Sequence, residues 1–296
     1  MEKIDFVLTW VDGSDPDWLA QRREYQPGRG TDAGESRYRD WDNLQYWFRG
    51  VEKFAPWVNK IYFVTWGHVP KWLNTAHEKI QIVKHEDFMA PAYLPTFNIN
   101  FKNGFPCDCC IETALVQDNI RNPFANILMN DAALVNMHYN KKEVIKKQAK
   151  KWFSPAYGAM LFRNVLMLPY REFSSFKYSH LPSPFLKATY WKVWDEEGAV
   201  LDEVCKNRFR TVFDVNQYVM KYWQYMEGKF TPQSPKLGRF YTIGKHDQQI
   251  HHTIRRQACK MICLNDDVNV GDFEKQKKEI QRSFEVIFPE KSSFEM

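Results

Sequence analysis

Ile4-Asp5-Phe6-Val7-Leu8-Thr9-Trp10 runs directly into Val11-Asp12-Gly13-Ser14-Asp15-Pro16-Asp17-Trp18, and this stretch decides the fold. The first seven residues are mostly apolar, β-branched or aromatic, as in a buried strand. The turn behind them is acidic and holds one glycine. A strand ending this way sets carboxylates at the carboxyl edge of a sheet, where open α/β sheets bind ligands. Taken alone, the same residues also describe an Asx-turn followed by a proline-started helix.

Working outward, Asp17 to Tyr25 reads as a short polar helix and Gln26 to Glu35 as a glycine-rich loop. Asp42 reads as the N-cap of an amphipathic helix with Leu44, Trp47, Phe48 and Val51 at helical spacing. Trp57 to Thr65 and Ile80 to Val83 read as strands. This strand–helix–strand–strand order predicts an α/β nucleotide-binding sheet with right-handed crossovers, of glycosyltransferase-A-like or Rossmann-like type. Beyond it the pattern turns helical. Ile111 to Ile120 predicts a helix, and Phe124 to Met129 is a short apolar run ending at Asn130-Asp131. Lys141 to Trp152 predicts a Lys-rich helix with Val144, Ile145, Gln148 and Trp152 inward, and Trp152 to Pro169 a buried helix. An aromatic helix is expected over Asp214 to Gly228 and a loop over Phe230 to Gly244. Cys259 to Leu264 reads as a strand ending in Asn265-Asp266-Asp267. A last helix starts near Asp272, with Phe273, Ile280, Phe284 and Ile287 inward. The expected organisation is one domain over 1–296, with an α/β part at 1–98 and a helix-rich part at 99–296 that completes the site.

Composition supports a large core: 44% of the 296 residues are hydrophobic and 16% aromatic. Aromatic side chains in that number fill a core and also stack on sugars or bases. The net charge of +5 suits an anionic ligand such as a nucleotide-sugar or a phosphorylated polymer. No nucleic-acid-binding motif accompanies the basic residues. The lysines of 141–152 read as a solvated face beside a core stripe, in preference to a phospholipid contact. Met1-Glu2-Lys3 leads straight into the strand with no targeting or spanning stretch, so a cytoplasmic chain, at most peripheral to the membrane, is expected. The six cysteines are then expected as reduced thiols. Cys107-Asp108-Cys109-Cys110 is not a zinc-ribbon spacing.

Several stretches together resemble the Stealth family, which contains bacterial capsular-polysaccharide phosphotransferases and the catalytic α/β subunit of the lysosomal N-acetylglucosamine-1-phosphotransferase. Its first region is similar to Ile4 through Asp15. Its second is similar to Arg37-Tyr38-Arg39-Asp40, then Val51 through Tyr62, Val69-Pro70-Lys71-Trp72-Leu73 and Leu94-Pro95-Thr96-Phe97-Asn98. Its third resembles His180-Leu181-Pro182 with Phe209-Arg210 downstream, and its fourth Cys263-Leu264-Asn265-Asp266. Four motifs in order are specific where one would be weak.

The resemblance implies transfer of a sugar-1-phosphate from a UDP-sugar to an acceptor hydroxyl of a polysaccharide, with Mg²⁺ or Mn²⁺. Phosphoryl transfer rests on positioning and charge stabilisation. The implied donor-binding residues are Trp10, Asp12, Gly13, Ser14, Asp15 and Arg39. His180 is the candidate base for the acceptor hydroxyl. Arg210 is the candidate clamp on the transferred phosphate. Asp266, with Asn265, is the candidate metal ligand, since Mg²⁺ takes hard oxygen donors.

One departure matters. In the family the Leu-Pro-Thr-Phe-Asn motif continues through Asn-Ser-x-Ala-Ile-Glu and an apolar strand to Asn-Asp-Asp. Here Asn98 runs into Ile99-Asn100-Phe101-Lys102. A segment carrying a Glu and an Asp pair is absent at that place. This departure favours an alternative reading, a catalytically impaired relative that binds nucleotide-sugar or polysaccharide; a further alternative is a glycosyltransferase using the same sheet and metal.

Overall fold

The computed structural model describes residues 3–25, 39–97, 123–177, 181–267 and 270–296. The chain opens with β1 (Phe6–Thr9), α1 (Pro16–Tyr25), α2 (Leu44–Phe54), β2 (Ile61–Thr65), β3 (Ile80–Lys84) and α3 (His85–Phe88). It continues with α4 (Pro123–His138), α5 (Lys141–Lys147), α6 (Ala149–Trp152), α7 (Leu161–Leu166), α8 (Lys187–Lys206) and α9 (Tyr218–Met226). It closes with β4 (Gly238–Thr242), α10 (Asp247–Arg255), β5 (Met261–Asn265) and α11 (Phe273–Glu285). The expected helix over 111–120 lies outside the described residues. The fold is mixed α/β with small parallel sheets.

Two compact units emerge. Of the described residues, the first gathers 3–25, 39–95, 238–267 and 270–296, and the second 96–97, 123–177 and 181–237. The stretch from Gly238 onward, grouped from sequence with the helix-rich part, thus belongs with the N-terminal sheet.

In the first unit β1, β2 and β3 form a parallel sheet in that order, with Phe6 opposite Ile61 and Ile61 opposite Ile80. The central strand buries Ile61, Phe63 and Val64. The first strand lies at the edge, which corrects the reading of it as wholly buried: Phe6 is 1% exposed, whereas Val7 is 38% exposed. Successive side chains of a strand point to opposite faces, and only one face of β1 meets the core. On that core side α2 buries Tyr46, Phe48 and Val51. The N-cap of α2 is Asn43, not Asp42. Asp42 sits one residue earlier with a φ of +46°, and its carboxylate pairs with Lys277.

The loop expected over Phe230 to Gly244 contains β4, which pairs in parallel with β5 from Gly238↔Met261 to Thr242↔Asn265. Of the β4 residues only Tyr241 is buried, so the strand lacks the alternation that would betray it. Tyr241, Ile243, Ile250, Ile254, Val270 and Ile280 form the core under these strands. The Asp272 carboxylate caps α11 by accepting from the Lys275 amide at 3.0 Å. The C-terminal segment then returns to α2: Tyr46 stacks on Phe284 at 5.3 Å, and Arg49 holds Glu295 through two bonds of 2.8 and 2.7 Å.

The second unit is helical. All nine residues of α9 are buried, among Trp152, Phe173, Phe176, Val193 and Leu201. Phe124 to Met129, a short apolar run by sequence, begins the 16-residue α4, and Asn130 and Asp131 lie within that helix. The Lys-rich helix breaks at Gln148, whose amide donates to the Met226 carbonyl at 2.6 Å. Trp152 to Pro169 is not a buried helix. It holds a 3₁₀ segment, Pro155–Met160, and then α7, with Phe162, Val165, Leu166 and Leu168 exposed. The inward positions go to Asn164 and Met167. Among the described residues no helix is long and apolar enough to cross a membrane.

Candidate functional site

The carboxyl edges of the parallel strands carry the site of the first unit. After β1 the Trp10 amide still donates to the Val64 carbonyl at 2.9 Å, so the turn starts from a fixed backbone. Asp12 Oδ1 accepts from the Ser14 amide at 2.8 Å and the Ser14 hydroxyl at 2.6 Å. Asp15 Oδ1 caps α1 by accepting from the Trp18 amide at 2.9 Å. Each Asp spends one oxygen on the turn, so the Asx-turn reading and the ligand-edge reading hold together. Burial pushes the Asp12 carboxyl up, but the Ser14 hydroxyl and amide and nearby His68 outweigh it and hold the group below the ordinary carboxylate value.

His68 was not legible as a site residue, though it follows β2 at the same sheet edge. Its Nε2 accepts the Asp12 amide at 2.7 Å. That bond assigns the ring proton to Nδ1, which faces Asp15 Oδ2 at 3.6 Å. The imidazole stands edge-on to the Trp10 indole at 5.3 Å. Trp10 in turn hydrogen-bonds through its side chain to the Asp40 carboxylate. Asp40 was legible only as part of a motif. Its carboxyl is raised above the ordinary value, chiefly by burial, with Asp42 adding and the Asp42 amide, Lys277 and Trp10 opposing.

Beside Asp40, Arg39 reaches the end of β5. Its Nε donates to Asp266 Oδ2 at 2.9 Å and its Nη2 to Asp266 Oδ1 at 2.6 Å. Nη2 also donates to the Asp267 carbonyl at 2.8 Å, and the guanidinium lies 5.2 Å from the Phe273 ring. Nη1 stays outside these bonds. Lys245 pairs with Asp267 at 3.0 Å, and the Asn265 amide donates to the Asp266 carbonyl at 2.9 Å. Trp10, Asp12, Asp15, Arg39, Asn265 and Asp266 therefore lie along one chain of contacts in one unit.

These residues fit a metal poorly as they stand. Both oxygens of Asp266 face a guanidinium and one of Asp267 faces an ammonium. Among the described residues no group of three or more His, Cys, Asp or Glu is arranged to hold a metal ion. The described cysteines Cys205, Cys259 and Cys263 are free thiols, and burial pushes Cys263 up to about 11.

The other two candidates belong to the second unit. His180 lies outside the described residues. Arg210 sits in a loop fastened by the fully buried Asp214, which accepts from the Thr211 amide at 3.0 Å, the Thr211 hydroxyl at 2.7 Å and the Asn207 amide at 2.8 Å. The same loop meets Phe97, whose amide donates to the Arg208 carbonyl at 3.0 Å and whose ring stacks on Phe209 at 5.2 Å.

The chain matches Stealth protein conserved region 1 over residues 2–30, conserved region 2 over 37–152 and conserved region 4 over 252–296. It is 36% identical to the capsular polysaccharide phosphotransferase WcwK of Streptococcus pneumoniae, covering 100% of this chain and 99% of that one. The chain belongs to the Stealth family. The chain is likewise similar to the receptor polysaccharide phosphotransferase WefC of Streptococcus oralis, 33% identical with 100% of both chains covered, and to the exopolysaccharide phosphotransferase cps2G of Lactiplantibacillus plantarum, 31% identical over 99% and 96%. The Stealth regions enclose Asp12, Asp15, Arg39, Asp40, His68 and Asp266. The match to WcwK spans 331 positions against the 296 residues here, so that relative carries stretches this chain lacks.

Proposed function

We propose that this Stealth chain transfers a sugar-1-phosphate, of an N-acetylhexosamine, from a UDP-sugar to a hydroxyl of a capsular or cell-wall polysaccharide, releasing UMP. The observation that carries the reading is the Arg39–Asp266 pair. It joins the first-strand side of the unit to the end of β5, within regions shared with polysaccharide phosphotransferases. The acceptor oxygen bonds to the phosphorus that carries the sugar, and the pyrophosphate P–O bond breaks with UMP as leaving group.

In this reading the sheet is a nucleotide-binding sheet of glycosyltransferase-A-like or Rossmann-like type. The Asp12–Asp15 turn orients the donor, with Trp10 beside it. Asp266 fixes the Arg39 guanidinium so that Nη1 meets a phosphoryl oxygen, a preorganised cation where negative charge develops. Arg210 clamps the transferred phosphate, and His180 takes the acceptor proton. A divalent cation remains part of the proposal, but no described residue is assigned to it. The reaction runs in the cytoplasm, where nucleotide-sugars are made.

Incubation with UDP-N-acetylglucosamine, Mg²⁺ and a polysaccharide acceptor tests the reading. UMP release, abolished by EDTA and by His180→Ala or Arg210→Ala in folded protein, is expected. Release of UDP would make the chain a glycosyltransferase. Donor binding with no release would favour the impaired relative, a reading that the stretches present in WcwK and lacking here support.

A further inference from the structure

The segment from Phe162 to Arg171 turns its apolar side chains outward. Phe162 is 65% exposed, Leu166 56% and Tyr170 60%, with Val165 and Leu168 exposed beside them. The backbone is not loose. The buried Asn164 amide donates to the Trp152 carbonyl at 2.8 Å, and the Met167 carbonyl accepts from Lys141 Nζ at 2.8 Å. Lys141 is itself 2% exposed and also donates to the Glu172 carbonyl at 3.3 Å. These bonds fix α7 alongside α5 and α6, with Asn164 and Met167 as its inward side. The apolar groups cannot turn inward without breaking them.

The exposed charge of this segment and of α5 and α6 is one-sided. Lys142, Lys146, Lys147, Lys150, Arg163 and Arg171 are exposed, against the exposed acids Glu143 and Glu172. Arg163 and Arg171 bracket Val165, Leu166, Leu168 and Tyr170, and Arg171 has a side chain 94% exposed. Aliphatic and aromatic groups between cations suit the boundary between acyl chains and phosphates: the apolar groups enter the acyl region and the basic heads stay at phosphate level. A protein partner would need matching acids and a fitted apolar surface. A leaflet of anionic phospholipid supplies negative charge and hydrocarbon together.

We propose that Phe162–Arg171, with the lysines of α5 and α6, is a membrane-docking face that binds anionic phospholipid. It includes none of the residues assigned to transfer, and it needs no membrane-spanning helix.

Co-sedimentation with vesicles tests it, using the whole chain at physiological salt. Vesicles of phosphatidylglycerol and phosphatidylcholine are expected to bind the protein, and pure phosphatidylcholine at least tenfold more weakly. Phe162→Ser with Leu166→Ser, and separately Arg163→Glu with Arg171→Glu, are expected to weaken binding at least tenfold. Both variants should keep the wild-type melting temperature and the wild-type activity on a soluble acceptor, because these side chains are exposed. Undiminished binding by either variant, or no wild-type binding, would overturn the proposal. So would a wild-type dimer that the serine variant turns into a monomer, which would make the face a contact between copies.

Discussion

Arg39 holds both carboxylate oxygens of Asp266 across 227 residues of chain, at 2.9 and 2.6 Å. A lysine cannot reproduce two parallel bonds. Arg39→Lys, Arg39→Ala and Asp266→Asn are each expected to lower UMP release by roughly 10²–10³-fold, the scale seen when one preorganised charge-stabilising donor is removed. Arg39→Lys should behave nearly as badly as alanine. A rate within threefold of wild type for Arg39→Lys would show that the paired geometry is dispensable.

Asp12 and Asp40 are shifted in opposite directions, so their stability effects oppose each other. Asp12 is depressed when folded. Its contribution is fully present above the ordinary value near 3.8 and is lost as pH falls through the lower folded value. Asp40 is raised, so its ionised form costs stability at neutral pH, and that cost fades as pH falls through the folded value toward 3.8. Asp12→Asn is therefore expected to lower the melting temperature at pH 7 by a few degrees and Asp40→Asn to raise it slightly, for shifts of about 1 kcal/mol or less. Both differences should vanish well below pH 3. Melting curves over pH 2–8 check this, and equal signs at pH 7 would contradict it.

Arg210 and Asp214 lie four positions apart and should separate activity from folding. Arg210→Ala is expected to abolish turnover with little change in melting temperature. Asp214→Ala strips partners from Thr211 and Asn207 at a fully buried site, and is expected to cost about 2–4 kcal/mol of stability. Urea unfolding beside the UMP assay resolves the two.

Gly228 has a φ of +71°, and a Cβ there would lie 2.9 Å from Cδ of Gln148, whose amide is committed to the Met226 carbonyl. Gly228→Ala is expected to cost about 1–2 kcal/mol, from the left-handed backbone and the displaced glutamine together. Gln148→Ala with Gly228→Ala should cost less than the sum of the single changes, since one clash is shared.

The first unit was legible where side-chain type and turn chemistry agree. β1, β2 and β3, α1 and the inward residues of α11 follow from apolar spacing and capping residues. β4 was not legible because only Tyr241 of its five residues is buried. The extended α4 was misjudged because its apolar run meets Asn130-Asp131, which resembles a strand end, and Asp131 is instead a buried helix residue accepting from the Asn216 amide at 2.8 Å. Trp152 to Pro169 is apolar in sequence, but Phe162, Val165, Leu166 and Leu168 face outward, so apolar content there does not mean burial. Within the site, the residue types at Asp12, Arg39 and Asp266 could be singled out. The partnership of Arg39 with Asp266, and of His68 with the Asp12 amide, depends on the path of the chain through space.

That path has a consequence for how the protein comes into being. The first unit is built from residues up to Pro95 and from Gly238 onward, with the whole helical unit interposed. During synthesis the early sheet must wait, without its α11 neighbour and with Arg39 unpaired, until residues near 266 have left the ribosome. Pairings so distant in sequence form late and slowly. A chain broken off between Leu237 and Asn265 would hold its donor turn and its helical unit and still lack Asp266. It would be a fragment unable to assemble the charge pair, not a weakened enzyme.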